Sequence, residues 1–137
     1  MIYEAKAQFT TCDDKIGKLH FIINEAESFG DAETQASKAC WGLGIEDFDI
    51  VDVKRSKVRE VINRREVGVD EDVFIAEVAD VRINEETNEK TEIIYKMLLF
   101  ARDLDNAYER IKDYLTQGYE MIVVGIKKTR ITDVVWL

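Results

Sequence analysis

At 137 residues the chain fits one domain and is long enough to bury a hydrophobic core. With 46% apolar and 34% charged residues it is too hydrophobic to be largely disordered, and a net charge of −9 argues against nonspecific duplex DNA binding, which depends on neutralising phosphates. Apolar runs fall far short of the roughly 20 residues a membrane helix needs, residues 1–11 lack the pattern of a signal peptide, and Cys12 and Cys40 fit neither a zinc motif nor a disulfide framework; these features predict a cytoplasmic protein with reduced thiols and no membrane association.

The elements follow in chain order. Residues 3–11 read as a strand, with Ala5, Ala7 and Phe9 alternating. A polar turn at 13–18 leads to a second β-prone run at 19–26, so the two form a hairpin. Phe29, Ala32, Ala36, Cys40 and Leu43 then recur at helical spacing, opened by Ser28 as a cap and closed near Gly44. A β-branched run follows at 50–58. Residues 63–72 are a charged connector.

The same order then returns. Residues 73–83 and 92–101 bracket a polar turn at 84–91, with Ala79, Val81 and Ile83 alternating. Leu104, Ala107, Ile111 and Leu115 mark a second helix, capped by Asp103 and closing near Gly118. A second β-branched run occupies 123–131 and aligns without gaps on 50–58. The pattern predicts an α+β domain built by internal duplication of a ββαβ unit, with repeats at 1–62 and 73–137 joined by 63–72. Its two helices would pack on one face of an antiparallel sheet, or the repeats would form two small sheets; the pattern fits either.

The pattern as a whole resembles a family. It runs from Tyr3, Glu4 and Ala5 through Ala26, Ser28 and Phe29 to the basic stretch Val53, Lys54, Arg55, Ser56 and Lys57. It continues through the second hairpin with its acidic turn, then Ala101 to Ala107, and ends on a short strand with Asp133 and Val134. This resembles an uncharacterised domain-of-unknown-function family common in Bacteroidetes and their phages. Tyr3 stands where that family's first strand carries a tryptophan. The resemblance covers nearly the whole chain and brings no activity with it. It implies an accessory protein of a phage or mobile element, working in the host cytoplasm.

No catalytic constellation emerges, so the chain reads as a non-enzyme. His20 is the one histidine and sits in a strand, where it reads as a solvent-facing or edge residue. No nucleophile elbow accompanies it. Asp13 and Asp14, and Asp47, Asp49 and Asp52, lack the spacing of a calcium loop. Gly42 and Gly44 lie at a helix C-terminus, where the dipole repels phosphate. No metal ligand set and no cofactor is predicted.

The basic strand ends are the candidate binding site. Alternation places Val51, Val53, Arg55, Lys57 and Arg59 on one strand face, and Val124, Ile126, Lys128 and Arg130 on its counterpart. The apolar part would lie under a helix, while the cations would project beyond it, suited to phosphate oxygens. The same lysines also fit a guard against edge-to-edge aggregation. Trp41 and Trp136 are candidate interface anchors of a homo-oligomer.

The leading expectation is a non-catalytic module that sequesters a small phosphorylated, nucleotide-like ligand, as an anti-defence sponge would. The alternatives are an acidic inhibitor or adaptor that engages a host protein, and a single-stranded nucleic-acid binder using Tyr3, Phe9, Phe21, Tyr95 and Phe100.

Overall fold

The computed structural model describes residues 1–117 and 120–136. Among them the chain forms eight strands and two helices: β1 (Tyr3–Thr10), β2 (Ile16–Ile23), α1 (Phe29–Gly42), β3 (Phe48–Arg55), β4 (Val58–Val61), β5 (Asp72–Ile83), β6 (Lys90–Ala101), α2 (Leu104–Leu115), β7 (Met121–Lys128) and β8 (Asp133–Val135). The fold is α+β with two mostly antiparallel sheets. The chain divides into two compact units, Met1–Lys57 with Arg130–Leu137, and Val58–Thr129.

In the first unit the sheet runs β3-β1-β2-β8. Strands β2 and β3 are each antiparallel to β1, so they run parallel to each other on either side of it. Joining two parallel strands needs a long crossover, and α1 provides it. Alternation along β1 points Tyr3, Ala5 and Ala7 to one face, where they pack with Phe21, Ile23 and the α1 residues Ala32, Ala36 and Cys40. The opposite face of β1 carries Glu4, Lys6 and Gln8.

The helix ends follow from side-chain chemistry. The Ser28 hydroxyl accepts the Asp31 N–H at 3.0 Å, satisfying a donor that the first turn leaves orphaned. At the other end, Gly44 adopts φ +80, and the Gly44 and Ile45 N–H groups donate to Trp41 O and Cys40 O. This double bond pattern closes α1 at a left-handed residue, with Ile45 folding back onto the core beside Cys40. The core face of α1 is narrower than its spacing suggests. Phe29 and Leu43 are 51% and 55% exposed, because they sit in the first turn and just past the last. Phe29 still meets the Tyr3 ring edge-on, with centroids 5.2 Å apart.

The second unit repeats this order as β7-β5-β6-β4. Phe74, Ala76 and Val78 pack with Met97, Leu99, Ala101 and the α2 residues Ala107, Ile111 and Leu115. Asp103 accepts the Asn106 N–H at 2.8 Å, as Ser28 does for Asp31. Leu104, like Phe29, is half exposed at the first helical position. Gly118, predicted to close this helix, lies outside the described residues. Each helix packs on its own sheet rather than both on a shared one.

Two short strands do not follow from hydrophobic periodicity. After β3 the chain passes Ser56 and Lys57, and β4 then adds in parallel to β6 of the second sheet. After β7, β8 adds in parallel to β2 of the first sheet. Each sheet is therefore completed by a strand from the other half of the sequence.

In the second unit a buried carboxylate fixes the segment that follows β4. Glu71 is 2% exposed and accepts the Glu66 N–H at 2.8 Å and the Arg110 guanidinium. Burial pushes its carboxyl up, but the Glu66 N–H and the Arg110 and Arg65 charges more than offset this and hold it below the usual range. Asn63 reproduces a strand pair nearby, donating to Phe100 O at 2.9 Å and accepting the Phe100 N–H at 2.7 Å.

Candidate functional site

Strand geometry keeps the predicted basic stripes only in part: Val53 shares a face with Arg55, and Ile126 with Lys128. Lys6 pairs with Asp52 and Ala7 with Ile50, so Val51 is an extra residue, a bulge that reverses the alternation. Ile50 and Val53 therefore both face the core, while Val51 turns to the opposite face and is 51% exposed. The second unit has the same irregularity. Glu77 pairs with Gly125 and Val78 with Val123, which leaves Val124 as the bulged residue.

The end of β3 at Arg55 disperses the cations further. Arg55 ends β3 opposite Tyr3, and Lys57 follows the strand as an exposed residue. Arg59 lies in β4, in the other unit, with its guanidinium 4.0 Å over the Tyr95 ring. Lys128 ends β7 and pairs with Asp72 at 3.1 Å. Arg130 leaves the β7 line altogether and joins the first unit.

There Arg130 meets a different set of residues. On the face of the first sheet turned away from α1, Lys6, Gln8, Lys18, His20, Val51 and Arg130, with Ala7 and Leu19, line a cleft of about 440 Å³. The hairpin register builds it. Lys6 pairs with His20 and Gln8 with Lys18, so these four side chains form a square on adjacent strands. The Val51 bulge supplies one wall. The lining holds three formal cations and no carboxylate. Acids flank it on the same face: Asp52 lies across from Lys6, and Glu4 across from Lys54.

His20 is neither at a sheet edge nor fully solvated. It lies on β2 between β1 and β8, half-buried, with Nε2 2.9 Å from Glu4 Oε1. Its backbone N–H donates to the Thr132 hydroxyl at 3.0 Å, and Thr132 N–H donates back to His20 O at 2.7 Å. The hydrogen bond to His20 holds the Glu4 carboxyl below its usual range against the opposing effect of burial, helped by the charges of His20, Lys54 and Lys6.

Two other hollows have different chemistry. One of about 310 Å³ is lined by Asp47 and Asp49 with Phe9, Phe48 and Ile16. Another of about 350 Å³, between α2 and β7, carries Lys112 as its single charge. Neither concentrates cations. Among the described residues no three or more His, Cys, Asp or Glu side chains are grouped to hold a metal ion. No described helix is long and apolar enough to cross a membrane.

The aromatic residues considered for base stacking are mostly core. Tyr3, Phe21 and Phe100 are 2% exposed or less, so they offer no open ring face. Phe9 lies across Gly17, and a Cβ there would meet its ring at 2.3 Å. Trp41 stands out at 58% exposure, edge-on to Phe48 with centroids 5.9 Å apart. Trp136 is half-buried.

The chemistry of the lining suits an anion. Two ammonium groups, one guanidinium and an amide line a hollow to which Val51 adds an apolar patch. Nothing in the lining is a serine, threonine or cysteine nucleophile. The alternation of Lys6 and Gln8 with Ala5 and Ala7, and of Lys18 and His20 with Leu19 and Phe21, was the sequence signal for this site. It needed the hairpin register to be read.

No curated protein and no solved structure matches the chain. A family model, Domain of unknown function (DUF4494), matches residues 1–137, and the chain belongs to that family.

Proposed function

We propose that the protein is a non-catalytic binding module that sequesters a small phosphorylated, nucleotide-like ligand in the cleft on the first sheet. The observation that carries this reading is the charge of that cleft. Lys6, Lys18 and Arg130 line it without a carboxylate, in a chain whose net charge is −9. Cations gathered against the overall charge of a protein focus its local field on an anion. The volume, about 440 Å³, lies within the range of small-molecule sites. Val51 suits the apolar part of a ligand, and the Gln8 amide suits hydrogen bonding to its polar edge.

Two further parts belong to this reading. The accessory role in a phage or mobile element, within a host cytoplasm, follows from the resemblance noted in the sequence. The descent of both units from one duplicated ββαβ unit is supported by their matching strand orders, the bulges at Val51 and Val124, and the caps at Ser28 and Asp103.

The test is a thermal-shift screen of the wild type and a Lys6→Ala/Lys18→Ala/Arg130→Ala variant against mononucleotides, cyclic dinucleotides, cyclic ADP-ribose isomers and short oligonucleotides. A ligand at a hundredfold excess over its Kd stabilises by about 2.7 kcal/mol. Stabilisation by one small phosphorylated compound, lost in the variant, is the expected result. A screen without any shift overturns the reading and turns attention to a host protein partner.

A further inference from the structure

Strand β3 ends the first sheet, so no strand of that sheet lies beyond it. A long exposed edge invites pairing, and its side chains decide with what. Here they are self-complementary. We propose that β3 is a homodimer interface, in which two copies pair antiparallel through this edge with Val51 opposite Asp52.

The register of β3 on β1 fixes which side chains share a face. Asp49 lies across from Gln8 and Lys54 across from Glu4, so both project on the face away from α1. Phe48 lies across from Phe9 and Arg55 across from Tyr3, on the helix face. In the proposed pairing Asp49 of one copy stands opposite Lys54 of the other, twice by symmetry. Phe48 stands opposite Arg55, and Trp41, edge-on to Phe48 and 58% exposed, extends the aromatic surface that receives the guanidinium. Such an interface is isologous and closes as a dimer.

The charges select this register. Sliding one strand two residues toward its N-terminal end sets Asp49 against Asp52, a like-charge pair repeated across the axis. The bulge at Val51 falls on the axis, so the ladder is interrupted once, at its centre, and the flanking segments keep their pairing. The corresponding edge strand β7 has no such complementarity. Its charge lies at one end, in Lys127 and Lys128, and antiparallel self-pairing would set these against Ile122 and Met121. Lys128 is already paired with Asp72.

The experiment is a charge swap read by light scattering coupled to size exclusion and by sedimentation equilibrium. The wild type is compared with Asp49→Lys, Lys54→Asp and the double variant, each checked for folding by circular dichroism and thermal unfolding. The expected result is a wild-type dimer, a dimer constant weakened on the order of tenfold or more in each single variant, and recovery in the double variant. Recovery separates a cross-interface pair from loss of fold, since two lesions that each damaged the monomer would not cancel. A wild type that stays monomeric at high micromolar concentration overturns the proposal. So does a dimer indifferent to Asp49→Lys, or assembly into open-ended polymers.

Discussion

His20 Nε2 lies 2.9 Å from Glu4 Oε1 across adjacent strands, and this contact holds the Glu4 carboxyl below its ordinary range. A carboxylate with a depressed folded-state pKa adds stability above its unfolded value of 4.5, and that stability is lost as pH falls through the folded value. Wild type should therefore exceed Glu4→Gln in thermal midpoint at neutral pH. The gap should close as pH drops below 4.5, where the wild-type side chain becomes neutral like its replacement. Thermal unfolding across that range checks this; a gap independent of pH would count against it.

The cleft and the strand-end cations make separable predictions. Removing a charged hydrogen-bond donor costs about 1.5 kcal/mol or more, roughly a tenfold loss in affinity. Lys6→Ala, Lys18→Ala and Arg130→Ala should each weaken ligand binding by about that factor in calorimetric titration. Arg55→Ala, Lys57→Ala, Arg59→Ala and Lys128→Ala should leave it within experimental error, because none of these residues lines the cleft.

Buried Glu71 forms an ion pair with the partly exposed Arg110 in the second unit. Truncating one partner strands the other's charge, so Glu71→Ala should cost about 3 kcal/mol in urea unfolding. Replacing both with apolar residues, as in Glu71→Leu/Arg110→Met, should recover much of that loss. A loss in the double variant equal to the sum of the two single losses would show that the two residues act independently.

The helix caps offer a matched comparison. Ser28 and Asp103 each satisfy an N–H in the first turn, at 3.0 and 2.8 Å. Ser28→Ala and Asp103→Ala should each lower stability by about 1 kcal/mol in urea unfolding. Glycine at either position should cost only a few tenths of that, since it keeps the extended cap conformation.

What the sequence revealed divides along the range of the interactions. The caps at Ser28 and Asp103, the close at Gly44 and the buried positions Ala32, Ala36, Cys40, Ala107, Ile111 and Leu115 were readable, because each depends on residues within a turn or two. Phe29, Leu43 and Leu104 kept the period but sat where a helix end runs past its sheet. The bulges at Val51 and Val124 were hidden because valine suits a strand whether it faces core or solvent. The bulges took Val51 and Val124 off the predicted faces, and the strand ends at Arg55 and Lys128 scattered the cations beyond them.

The cleft was hidden for another reason. Lys6, Lys18 and Arg130 come from three separate segments, and only Arg130 was singled out as a ligand-binding residue. The hairpin brings the first two together locally. Arg130 arrives because β8 pairs with β2, a contact between segments more than a hundred residues apart. Hydrophobic periodicity carries no information about such a pairing: β4 went unread, and the short strand at Asp133 and Val134 was read without its partner.

The exchange of β4 and β8 also has a consequence for synthesis. His20 and Thr132 bond each other across 112 positions. On the ribosome, β2 must wait with an open flank while everything between is translated, and the first sheet is finished by residues made after the entire second unit. The second unit, Val58–Thr129, is contiguous and holds every strand of its sheet, so only the first unit has to wait. Completion of the first unit is thus slowed by the closure of a very long loop, and its open flank is exposed meanwhile to competing strands.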